Sequence, residues 1–187
     1  MEDKTRKHLI ILLIVLLTIG GIFYVDKSIK EINYRNDFDD IVYSIVECSD
    51  DMIDTLNMIS KIWYNAIFKK ADEETDVYTK NEKGYFYSDF NDAMANYYES
   101  EQYLTSIEKI ENQINKIYSL TKRLQDPPKK YSQAYADFAT YYEYFTKLKS
   151  ITYSQSGMTY EEFTDEYIPL SENVINQFYK MQMYTSY

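Results

Sequence analysis

Only four glycines and three prolines occur among the 187 residues of this chain. A fold of many short strands needs such residues at each of its turns, so their scarcity leaves a few long helices as the economical arrangement. The three prolines sit at Pro127, Pro128 and Pro169. The first two fall between apolar stripes, where they end one helix and start the next.

The spacing of apolar residues places the helices. Phe38, Ile41, Ile45, Cys48, Met52, Ile59, Ile62 and Ala66 recur at three- and four-residue steps, and Leu56, Trp63 and Ile67 widen the stripe. This predicts a first helix over about 26–70. Acidic and turn-forming residues from Ala71 to Tyr87 predict a loop. Ser88 is a candidate cap for a second helix over about 88–125, with Phe90, Met94, Tyr97, Leu104, Ile107, Ile114, Ile117 and Leu124 as its stripe. A third, about 128–152, carries Tyr131, Tyr135, Phe138, Tyr142 and Phe145. Thr159-Tyr160-Glu161-Glu162 has the form of a capping box and opens a fourth, about 160–184, with a kink expected at Pro169.

Ahead of these lies Leu9 to Val25, seventeen residues without a charge. At 1.5 Å per residue the run is roughly 26 Å long as a helix, close to the bilayer core. Thr18-Ile19-Gly20 is a tolerable cleavage site for a signal peptide, but the apolar run continues past it. The expectation is therefore a retained signal-anchor. Residues 1–8 form a short cytoplasmic tail, 9–25 a transmembrane anchor, and 26–187 a domain outside the cell membrane. The expected fold is all-α, a single N-terminal transmembrane helix followed by an elongated antiparallel four-helix bundle with coiled-coil-like packing. The Tyr-, Ile-, Asn- and Lys-rich usage suggests an A+T-rich bacterial genome.

Composition narrows the chemistry. A net charge of −10 disfavours nucleic acid as a partner. One histidine, His8, and one cysteine, Cys48, supply no catalytic triad, disulfide, zinc or haem ligand set. Gly84 and Gly157 stand alone and make no phosphate loop. Glu47, Asp50, Asp51 and Asp54 share one helix face, and Asp72 to Asp76 form an acidic turn; both read as solvated charge rather than metal sites. No cofactor, no metal and no enzymatic activity are expected.

What remains unusual is tyrosine, 22 residues in all. Tyrosine offers a rigid contact area with a polar tip, suited to recognition. Trp63, Tyr64, Tyr97, Tyr98, Tyr141 and Tyr144 are the candidate partner or ligand surface, with Tyr141 and Tyr144 placed off the core stripe. The expected role is an interaction or accessory module for another envelope protein. The alternative is a sensor-like domain that binds a small molecule or glycan in a Tyr-lined pocket between the shorter helices.

Overall fold

A computed structural model describes the backbone of residues 2–185 and the side chains of residues 25–185. Its elements are helices: α1 (Glu2–Phe68), α2 (Asp76–Thr79), α3 (Phe90–Tyr98), α4 (Glu101–Arg123), a 3-10 turn (Lys129–Tyr131), α5 (Ser132–Tyr153) and α6 (Tyr160–Met181). The all-α expectation holds; among the described residues the only β pairing is one isolated antiparallel bridge, Lys80 with Phe86.

α1 is the element against which the others pack. Its buried residues include Phe38, Ile41, Ile45, Cys48, Met52, Leu56, Ile59, Ile62, Trp63 and Ala66, the stripe read from the spacing, whereas Ile67 at its end is exposed. α4 runs antiparallel to it, as shown by Arg123 against Asp37 (3.2 Å) and Lys109 against Asp51 (2.7 Å). α6 is antiparallel as well, with Phe178 against the ring of Tyr43 and the Tyr160 hydroxyl 3.3 Å from Ser60 Oγ. α5 lies parallel to α1: Phe138 meets Phe38, and the Tyr141 hydroxyl donates to the Val42 carbonyl at 3.4 Å.

The second expected helix is two. α3 ends at Tyr98, and Ser100 caps a new helix by accepting from the Tyr103 N–H at 3.2 Å. The break shifts the helical phase, so Leu104 is exposed and Ile110 is buried. The cap of α3 is Asp89, whose carboxylate accepts from the Asn91 N–H, rather than Ser88. Ala71–Tyr87 is more ordered than a plain loop: Lys61 is held by Asp72 (3.0 Å) and Glu74 (2.6 Å), and Asp76 by Lys80 (2.7 Å). The capping box of α6 is present in both directions, Thr159 with Glu162, and Pro169 stands inside that helix.

Among the described residues no helix is long and apolar enough to cross a membrane. This overturns the single-pass integral placement, and with it the cell-membrane localisation of an extracytoplasmic domain and its envelope partner. The physical reason is charge. Charged side chains from Asp26 to Lys61, among them Asp26 and Lys30 (2.8 Å apart) and Glu31, interrupt every stretch of membrane-spanning length in the described part of α1, and each charge at mid-membrane costs about 2.5–3.5 kcal/mol on insertion scales. The expected tail 1–8 and the run from Leu9, apart from Val25, fall outside the residues whose side chains are described.

Candidate ligand-binding pocket

Five aromatic side chains, Trp63, Phe90, Tyr98, Tyr103 and Tyr153, surround an open space where α1, α3, the start of α4 and the α5–α6 connection meet. α1 supplies Trp63, on the same stripe as Ile59 and Ala66 and 5% exposed. The Asp89 cap makes Phe90 the first residue of α3, and its ring stacks on the Trp63 indole at 5.9 Å between centroids. Met94 and Tyr98 follow Phe90 at four-residue steps and so share its face. Because the chain restarts at Ser100, Tyr103 is turned onto Tyr98, edge to face at 5.0 Å. A continuous helix would not have brought these two rings together in this way.

The opposite wall is the end of α5 and the link after it, Tyr153 to Met158. Gly157 has φ +83°, a left-handed conformation that an L side chain resists, and it turns the chain toward the Thr159 cap. Gln155 fastens this link. Its Nε2 donates to the carbonyls of Ile151 and Thr152, and its Oε1 accepts from the Tyr98 hydroxyl at 3.0 Å. The cleft is open to solvent and about 460 Å³ in volume, inside the usual range for small-molecule sites.

None of the residues lining this space is charged; besides the rings and methionines they are Asn91, Ser154, Gln155, Ser156 and Gly157. Burial pushes the Tyr98 and Tyr153 hydroxyls up to about 12, and the Tyr103 hydroxyl upward too, so all three are neutral hydrogen-bonding groups at physiological pH. Among the described residues the buried indole Nε1 of Trp63 has no hydrogen-bond partner. A buried donor left unpaired forfeits its lost hydration.

Two other cavities differ in kind. One of about 460 Å³ is lined by Asp51, Asp54, Lys61, Glu74 and Lys109, and its lysines are already paired with Asp51, Asp72 and Glu74. Another, about 1100 Å³ and open, lies between the exposed start of α1 and residues 123–130. Its charges also neutralise one another, as in Arg123–Asp37 and Lys130–Glu31. The acidic face of α1 is partly tied up: Asp51 accepts from Lys109 and from Gln113 (2.8 Å). Burial, with Asp54 and Asp51 nearby, raises the Asp50 carboxyl above its ordinary range. Among the described residues no three His, Cys, Asp or Glu side chains converge as a metal site would require.

The six residues singled out from the sequence do not form one surface. Trp63 and Tyr98 line the aromatic pocket. Tyr97 is fully buried between Tyr78 (5.1 Å) and Tyr103 (5.3 Å), on the side of the charged cavity. Tyr64 is exposed and rests on Phe68 and Tyr160. Tyr141, expected off the core stripe, is wholly buried, while Tyr142 is only half-buried. Tyr144 is half-buried further along α5, with the Lys147 ammonium 5.5 Å from its ring. Sequence reasoning did not single out Tyr103, Tyr153 or Gln155 as site residues. The signals available were Ser100, a capping residue within a supposed helix, and the polar tract Ser154-Gln155-Ser156-Gly157.

Compared with protein-family models, curated proteins and solved structures, the chain finds no match.

Proposed function

We propose that this chain is a binding module whose ligand is a small uncharged molecule held in the aromatic pocket. The framework is read as an antiparallel bundle of α1, α4, α5 and α6, with α3 and the α5–α6 link closing one end over Trp63. The observation that carries the reading is the pairing of an uncharged, aromatic-walled space of about 460 Å³ with a buried indole N–H that has no partner. Aromatic rings and uncharged polar groups, among them Asn91, Ser154, Gln155 and Ser156, share the pocket's lining, and small-molecule sites use such polar groups to fix a ligand's orientation. The reading includes no reaction, since the titratable groups in the lining are phenols whose hydroxyls burial holds above the neutral range.

Trp63 is the sole tryptophan, so intrinsic fluorescence reports on this pocket. Titration of the full chain with a library of uncharged small molecules is expected to give a saturable change in emission for at least one. The change should be lost in Tyr103→Ala. A library that leaves the emission unchanged throughout would overturn the proposal.

A further inference from the structure

The pocket's polar groups restrict the chemistry of what it holds. We infer that the ligand is a neutral polyhydroxylated ring, a pyranose of mono- or disaccharide size, seated with one oxygen on the Trp63 indole N–H; the inference rests on the pocket reading above.

The indole N–H only donates. The Trp63 residue is 5% exposed, and Nε1 is buried without a partner. A ligand that satisfies it must bring an acceptor. A quaternary ammonium, which an aromatic cage would otherwise suit, brings none, and neither does an aryl hydrocarbon. Charge selects further. No lysine or arginine lines the space to hold a phosphate or carboxylate, and no carboxylate lines it to hold an amine.

The walls then favour a saturated ring with hydroxyls over a flat apolar one. Phe90, Tyr98 and Tyr103 offer ring faces and edges on which the C–H groups of a sugar pack. Asn91, Ser154 and Ser156 put amide and hydroxyl groups on the same lining, where outward hydroxyls of the sugar are met. Gln155 is committed to holding the link, through Ile151, Thr152 and Tyr98, and serves as a positioning residue. Entry to the indole requires side-chain displacement, and Met94 and Met158 of the lining have unbranched thioethers that re-pack readily.

The test is a fluorescence titration of the full chain with methyl glucoside, methyl N-acetylglucosaminide and their β-linked disaccharides, beside tetramethylammonium and p-cresol. The expected result is saturable binding of at least one sugar and none of tetramethylammonium. Trp63→Phe, followed by saturation-transfer NMR because the fluorophore is gone, should bind that sugar about tenfold more weakly, the loss of roughly one hydrogen bond. Tyr103→Ala, which leaves Trp63 in place, should weaken it at least as much. If p-cresol binds and no sugar does, the ligand class is wrong while the pocket reading stands; if tetramethylammonium binds and no sugar does, the inference and the uncharged-ligand reading both fall. If no probe or library compound changes the emission, both fall. A folded Trp63→Phe that binds the sugar as tightly as the native protein would overturn the indole contact and the inference with it.

Discussion

Trp63 does two jobs at once. Its ring is core, packed against Phe90 at 5.9 Å and Phe163 at 5.5 Å, yet its buried N–H has no hydrogen-bond partner among the described residues. These roles separate under substitution. Trp63→Ala should destabilise the protein by about 3–5 kcal/mol, the usual cost of removing a buried aromatic. Trp63→Phe keeps most of the packing and removes the unpaired donor, so its cost should fall well short of that. Urea unfolding followed by far-ultraviolet circular dichroism compares the two. Equal losses would mean that the indole N–H has a partner in the folded state.

At the scale of elements, the caps decide where side chains point. Ser100 Oγ accepts from the Tyr103 N–H and donates to the Tyr97 carbonyl at 2.6 Å, so one hydroxyl ends α3 and begins α4. Ser100→Ala should cost about 1 kcal/mol, the usual worth of an N-cap. Hydrogen exchange should quicken first at the α3–α4 junction; uniform quickening would argue against a local role. α5 and α6 are joined by a different device. The Asp137 carboxylate accepts from Lys180 (2.7 Å) and from the Tyr184 hydroxyl (2.6 Å), which together hold it down at about 2.

A carboxyl depressed on folding adds stability that is fully present above its unfolded value of about 3.9 and fades as pH falls toward the folded one. Asp137→Asn should therefore be less stable than the native chain at pH 7. The gap should narrow between pH 4 and pH 2, as read from urea midpoints across that range. A gap independent of pH would remove the ionic interpretation.

At the scale of the molecule, α1 is the common partner of α3, α4, α5 and α6, so the packed region is expected to unfold as one unit. Two probes on α1 can check this. Burial pushes the Cys48 thiol up to about 12, and it lies against α4 beside the Ile110 carbonyl, whereas Trp63 faces α3 and α6. Cys48 should resist thiol reagents in the folded protein. With increasing urea its reactivity and the Trp63 emission should change with one midpoint. Separate midpoints would divide the molecule into two cooperative parts.

The long stripe of α1, the capping box at Thr159 and the pairing of all-α fold with scarce breakers were legible in the chain, because helical periodicity and end-capping act within a few residues. Which tyrosines are buried was not. Tyr141 and Tyr142 are adjacent and chemically identical, and only the angle at which α5 meets α1 turns the first inward. The pocket was legible only as a surplus of tyrosine. Its walls come from Trp63, Phe90, Tyr103 and Tyr153, residues far apart in sequence whose meeting depends on a helix break at Ser100 and a left-handed turn at Gly157. Local propensity writes the helices into the sequence. Their relative rotation, and therefore the site, is decided by packing between distant segments, which no local pattern encodes.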